Sequence, residues 1–131
     1  MTKKKLTLKD LIDQKEQLIR DLKGKKTQEL YIEQLDSTIT IEEPDVALVS
    51  ESIELAQDEN YEGNGDEYLV YNIVKDPDLK DRELHKIYGC VEPTDIVKKI
   101  FDPGTVQGIA QSGMELAGFG SKVTPVDKLK N

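Results

Sequence analysis

DEYLVYNIVKDPDLKDRELHKIYGCVEPTDIVKKIFDPGTVQGIAQSGMELAGF, residues Asp66–Phe119, is the stretch whose reading decides the fold. It holds most of the chain's large apolar side chains: Tyr68, Leu69, Tyr71, Ile73, Val74, Leu79, Leu84, Ile87, Tyr88, Val91, Ile96, Val97, Ile100, Phe101, Val106, Ile109, Met114 and Leu116. They recur mostly at three- and four-residue spacing, which places them on one side of successive helices. The spacing predicts helices at about Glu67–Val74, Leu79–Tyr88, Thr94–Phe101 and Pro103–Ala117. Pro77 and Pro103 are expected where helices begin, a position that does not need the missing N–H. Gly118-Phe119-Gly120 ends the last helix.

Working outward, Gln57–Gly65 is polar, with two glycines and Asn64, and reads as a loop. Before it, Pro44 opens a helix from about Asp45 to Ala56, with Val46, Val49, Ile53 and Leu55 or Ala56 inward and Asp45, Glu51 and Glu54 outward. Glu29–Leu35 and Thr38–Glu42 read as strands joined by an Asp36-Ser37 turn. The second alternates β-branched and polar residues, as a half-buried strand does. At the N-terminus, Thr7 with Asp10 forms an approximate capping box. Leu8, Leu11, Ile12, Leu18, Ile19 and Leu22 then make one apolar stripe on a helix of roughly 24 Å, ended by Gly24. The expected fold is therefore α+β: residues 1–120 as one predominantly helical domain of about five or six helices, with one small N-terminal β-hairpin at about 29–42. Residues 121–131, with Pro125 and three lysines, read as a mobile C-terminal tail.

The chain has 131 residues, and a domain of that size closes one core without staples. It has no Trp and 5% aromatics, so Leu, Ile and Val must fill that core. The single Cys90 excludes an internal disulfide and suits a reducing compartment. No signal peptide or membrane span is read, which points to a soluble, cytoplasmic protein. The net charge of −8 hides a sharper division. Residues 1–26 carry nine Lys/Arg against four acids, while residues 27–74 carry thirteen acids and no Lys or Arg. So acidic a middle disfavours a nucleic-acid surface, which needs clustered cations. The basic start could touch an acidic partner or fold back onto the acidic middle; a solvated charge bias is the plainer reading.

Catalytic and metal chemistry find little support. The loop Asp58–Leu69 resembles a calcium loop at Asp58, Asn60, Gly63 and Asp66. It fails where the bidentate carboxylate belongs, at Leu69, and again at Gly65. His85 and Cys90 are the only residues of their kinds, too few for a closed zinc site and without an orienting third group for nucleophilic catalysis. Cys90 reads as a packed thiol and His85 as a solvated side chain on a polar helix face. Pairs such as Asp76/Asp78 and Glu42/Glu43 read as solvated carboxylates, and the glycines do not match a phosphate loop. No metal, cofactor or catalytic residue is expected. The small residues Gly108, Ala110, Ser112, Gly113 and Ala117 make the last helix slim, which suits close approach by a neighbouring helix of this chain or of a partner.

Leu30-Tyr31-Ile32, Tyr68-Leu69-Val70-Tyr71, Pro77-Asp78-Leu79-Lys80-Asp81, Glu92-Pro93-Thr94-Asp95-Ile96-Val97, Ile100-Phe101 and Leu116-Ala117-Gly118 occur in that order. Together they resemble the XkdN-like tail-assembly chaperones of contractile-tailed phages and phage-like elements of Gram-positive bacteria. The resemblance implies a non-enzymatic assembly factor in the host bacterial cytoplasm, absent from the mature virion. It would bind the tape measure protein and recruit tail tube subunits, with no nucleic-acid or membrane partner and with possible self-association. Leu11, Leu18, Leu116, Phe119, Val123 and Val126 are the candidate partner contacts. The alternative is a generic adaptor or regulatory module that binds a partner protein through its acidic surface.

Overall fold

The computed structural model describes residues 4–23, 25–61, 63–120 and 122–129. Gly24, the expected helix stop, lies outside the described residues, as do Glu62 of the acidic loop and Ser121, Lys130 and Asn131 of the tail. Two compact units are present, one drawn from residues 1–25 with 121–131 and the other from 26–120. The described residues form seven α-helices and a three-stranded antiparallel sheet, an α+β fold.

The larger unit is built around β2 (Ser37–Glu42), the central strand of the order β1-β2-β3. Its period-two pattern turns Ile39 and Ile41 inward. β1 (Thr27–Ile32) pairs with it from Thr27 opposite Glu42 to Ile32 opposite Ser37, and turns Ile32 to the same side. The link is a 3₁₀ turn over Glu33–Leu35 closed by Asp36 at φ +46°, not the expected Asp36-Ser37 pair. Aspartate tolerates this left-handed conformation better than most residues, which leaves Ser37 free to begin β2. The hairpin is also not strictly N-terminal, because two helices precede it.

The third strand was not expected. The helix read as Glu67–Val74 ends at Ile73, and β3 (Val74–Asp76) pairs with β2 through Val74–Ile41 and Asp76–Thr40. Pro77 favours an extended conformation for the residue before it, so the chain leaves the helix early and joins the sheet edge. Pro77 therefore follows a strand instead of opening a helix, and its peptide bond with Asp76 is cis.

Against the sheet's inner face lie α4 (Gly65–Ile73), α6 (Asp95–Ile100) and α7 (Pro103–Leu116). Leu69, Val70 and Ile73, then Ile96 and Val97, then Val106, Ile109 and Ala110 close the core with Leu79 and Phe101. Three of the helix starts here have a local cause. Asp102 accepts from the Thr105 amide ahead of Pro103, Asn64 caps α4, and Asp81 caps α5 (Arg82–Ile87). Ends are equally specified. At α7, Phe119 N–H bonds Met114 O and Gly118 N–H bonds Glu115 O, with Gly118 at φ +89°. At α5, Cys90 and Gly89 make the same pair of bonds to His85 and Lys86.

α3 (Val46–Gln57), capped by Asp45, packs on α4. It buries Val49 and Ser52, while Val46 and Ile53, expected inward, are exposed. The reason is the neighbour: Gly65 approaches so closely that an added Cβ would lie 2.3 Å from the Ser52 carbonyl oxygen, and only a small residue fits that face. Ile87, Tyr88 and Val91, also expected in the core, are exposed; Leu84 and Cys90 take the inner side of that turn instead.

In the smaller unit, the expected N-terminal helix is α1 (Leu8–Asp13) and α2 (Lys15–Lys23), interrupted only at Gln14. The ladder nearly carries through, with Gln14 N–H on Asp10 O and Leu18 N–H on Gln14 O. The capping box is complete: Thr7 Oγ1 accepts from the Asp10 amide, and an Asp10 carboxylate oxygen accepts from the Thr7 amide. Residues Val126–Leu129 make one 3₁₀ turn.

Candidate functional site

The surfaces open to another protein begin with α1 and α2. Leu8, Leu11, Ile12, Leu18, Ile19 and Leu22 are all exposed, from 40% for Leu18 to 88% for Leu22. On the polar side, Gln17 donates to Asp21 at 2.7 Å and Arg20 to Gln17 at 3.1 Å, so side chains three and four apart lace the helix. An exposed apolar stripe on a helix is the kind of surface that amphipathic recognition uses.

The other candidate contacts fall elsewhere. Val123 and Val126 are exposed and belong to the same small unit as Leu11 and Leu18. Phe119 and Leu116 belong to the larger unit. The turn that ends α7 holds Phe119 at 38% exposure, while Leu116 is half-buried against the core.

Two grooves in the larger unit were not foreseen. One, about 590 Å³, runs between the edge strand β1 with its turn and α7. Leu30, Ile32 and Ile109 line it, with Gly104, Gly108 and Ser112. Gln34 ties its end together, donating to Ile100 O at 3.2 Å and accepting from the Asp102 amide at 3.0 Å. The four-residue repeat Gly104, Gly108, Ser112 was the sequence signal for it. Slimness at Gly113 serves a different end: a Cβ there would meet Ile73 Cδ1 at 2.5 Å, so α4 packs against it within the chain. The second groove, about 380 Å³, lies between α3 and α4 and is lined by Glu51, Glu54, Leu55, Asp58 and Tyr68. The Tyr68 hydroxyl donates to Glu51 at 2.6 Å, and that bond, with burial, raises the phenol's pKa.

His85 and Cys90 line neither groove. His85 is half-buried, not solvated: its Nε2 faces the Leu79 carbonyl, which can only accept, and its ring lies 6.1 Å from that of Tyr71. Buried Leu79 draws its carbonyl beneath α5, which explains the departure from the polar-face reading. Cys90 is half-buried on the core. Leu69, at the last position of the calcium-like loop, is buried in α4. Among the described residues, no group of three or more His, Cys, Asp or Glu is placed to hold a metal, and no helix is long and apolar enough to cross a membrane.

No curated protein matches the chain. Among solved structures, the crystal structure of the protein YqbN is similar, with a TM-score of 0.53 at 14% identity over 74% of this chain and 88% of that one. At that identity the likeness speaks for the fold. The family model for the phage XkdN-like tail assembly chaperone protein matches residues 19–130, both strands of the hairpin and the whole helical core included. The chain therefore belongs to the phage XkdN-like tail assembly chaperone family.

Proposed function

We propose that this tail assembly chaperone binds the tape measure protein and keeps it soluble before the tail polymerises, while recruiting tail tube subunits to it. The observation that carries this reading is the exposed apolar stripe of α1 and α2. A long helical client exposes similar stripes, and burying one against another removes both from water at roughly 25 cal/mol per Å². Leu11 and Leu18 are the central contacts in this reading, with Leu116, Phe119, Val123 and Val126 as further ones. The acidic segment 27–74 supplies the charge that keeps such a complex dissolved. The protein acts in the host bacterial cytoplasm and is left out of the mature virion. Its work is binding, with no reaction catalysed.

Co-expression with the tape measure protein tests this. The client moves from pellet to supernatant and co-purifies with the chaperone. Deleting Gly118–Asn131 weakens that co-purification without unfolding the larger unit. A client that stays in the pellet rejects the reading, and co-purification unchanged by the truncation rejects the C-terminal contacts.

A further inference from the structure

One edge of the sheet is blunted and the other is not. β3 is three residues long and runs into Pro77, which has no N–H to offer a further strand. β1 runs for six residues, contains neither Pro nor Lys, and keeps an unbroken register with β2. The Glu43 amide donates to Lys26 O at 2.8 Å, so the alternation of an antiparallel pair turns the backbone groups of Gln28, Leu30 and Ile32 toward β2. Those of Thr27, Glu29 and Tyr31 therefore face away from the sheet, and among the described residues no loop or helix backbone bonds them. The groove of about 590 Å³ runs beside this edge. A Cβ added at Gly108, on its α7 side, would meet nothing within 4 Å. The charged residues lining it, Glu33 and Asp102, are both acidic, and Glu29 adds a third carboxylate on the strand itself. Among the described residues, none of the three forms a salt bridge.

We propose that the free edge of β1 takes up an extended, basic segment of a partner protein as a fourth strand. The unpaired amides and carbonyls supply the ladder, and the alternation of a strand then fixes the segment's composition. Side chains turned inward, as Leu30 and Ile32 are, enter the groove over Gly108 and must be small or apolar. Side chains turned outward lie beside Glu29 and Tyr31, with Glu33 at the strand's end, and Lys or Arg suits them. Charge selects this occupant. An acidic segment would set like charges together, and β1 of a second copy brings its own Glu29 and no cation within the strand. This edge belongs to the larger unit and the α1–α2 stripe to the smaller one. Peptide binding at the edge is read without any client, so its failure and that of the client reading are separable.

The probe is a synthetic peptide of about six alternating Lys and Val residues, capped at both ends, titrated into the isotope-labelled full chain and followed by NMR. The expected result is saturable binding, with hydrogen exchange slowed at the Thr27, Glu29 and Tyr31 amides. Two control peptides carry N-methyl groups on one or the other alternate set of amides. Only one set faces the edge, so one form should lose binding and the other keep it. Equal behaviour of the two forms overturns the proposal, because charge alone would not tell them apart. Gly108→Leu fills the groove with a better helix former than Gly, and should weaken binding about tenfold or more while the chain stays folded. Binding unchanged in Gly108→Leu, or no saturable binding by the native chain, also overturns it. If β1 pairs with its own copy instead, those three amides are protected before any peptide is added, and the assignment of the occupant falls.

Discussion

At Gly65 the backbone of α4 passes the Ser52 carbonyl with no room for a methyl group. Because the obstacle is backbone in a neighbouring helix, it cannot rotate away. Gly65→Ala should therefore lower stability by about 1–3 kcal/mol, read by urea unfolding. Gly108 is the contrast. Nothing lies within 4 Å of a Cβ added there, so Gly108→Ala should raise stability by roughly 0.5–1 kcal/mol through helix propensity. Equal effects from the two substitutions would contradict the packing described. The slimness of α7 was legible from composition, and Gly113 against Ile73 shows that part of it serves packing within the chain. The role of Gly65 was not legible: its contact is set by how two helices cross, and the local sequence there reads only as a loop. His85 was misread for the same reason, its partner being a carbonyl presented by a separate turn.

The elements were legible where periodicity and caps agree. Asp45, Asp81 and Asp102 each sit one residue before a helix and bond an amide of its first turn. Asp45→Ala should cost about 1 kcal/mol, with hydrogen exchange rising first at the start of α3. The carboxyls of Asp95 and Asp102 are held below their ordinary value of 3.8, the first mainly by the Glu92 amide and the second by Thr105. Groups lowered in the folded state bind protons more readily when unfolded, so their stabilisation is complete above pH ~4 and disappears as pH falls through the folded values. The amides of Val91 and Glu92, in the turn before α6, and of Thr105, in the first turn of α7, should thus lose protection as pH falls below about 4, and protection unchanged down to pH ~2 would exclude these carboxylates as the cause. β3 escaped the sequence reading because three residues carry too little pattern, and Val74 fits a helical stripe as well as a strand. Only pairing with Thr40 and Ile41, far away in the chain, makes it a strand.

For the whole molecule, the apolar stretch Asp66–Phe119 located most of the core, which Ile32, Ile39 and Ile41 of the hairpin complete, and the acidic middle and basic start were visible from counting. The open surfaces were harder to foresee, since Val46, Ile53, Ile87 and Val91 are apolar residues that the fold leaves outside. Sequence pattern cannot distinguish an apolar residue kept for the core from one kept for a partner; the arrangement of neighbours decides. The proposed reading, in which the chaperone works by covering its client, rests on such residues. Covering is stoichiometric, and turnover is not. The decisive measurement is a titration of purified chaperone into tape measure protein diluted from denaturant, scoring the client that remains in solution. Soluble client should rise in proportion to the chaperone added and level off at a fixed molar ratio. Full rescue by chaperone at a small fraction of the client's concentration would contradict the account.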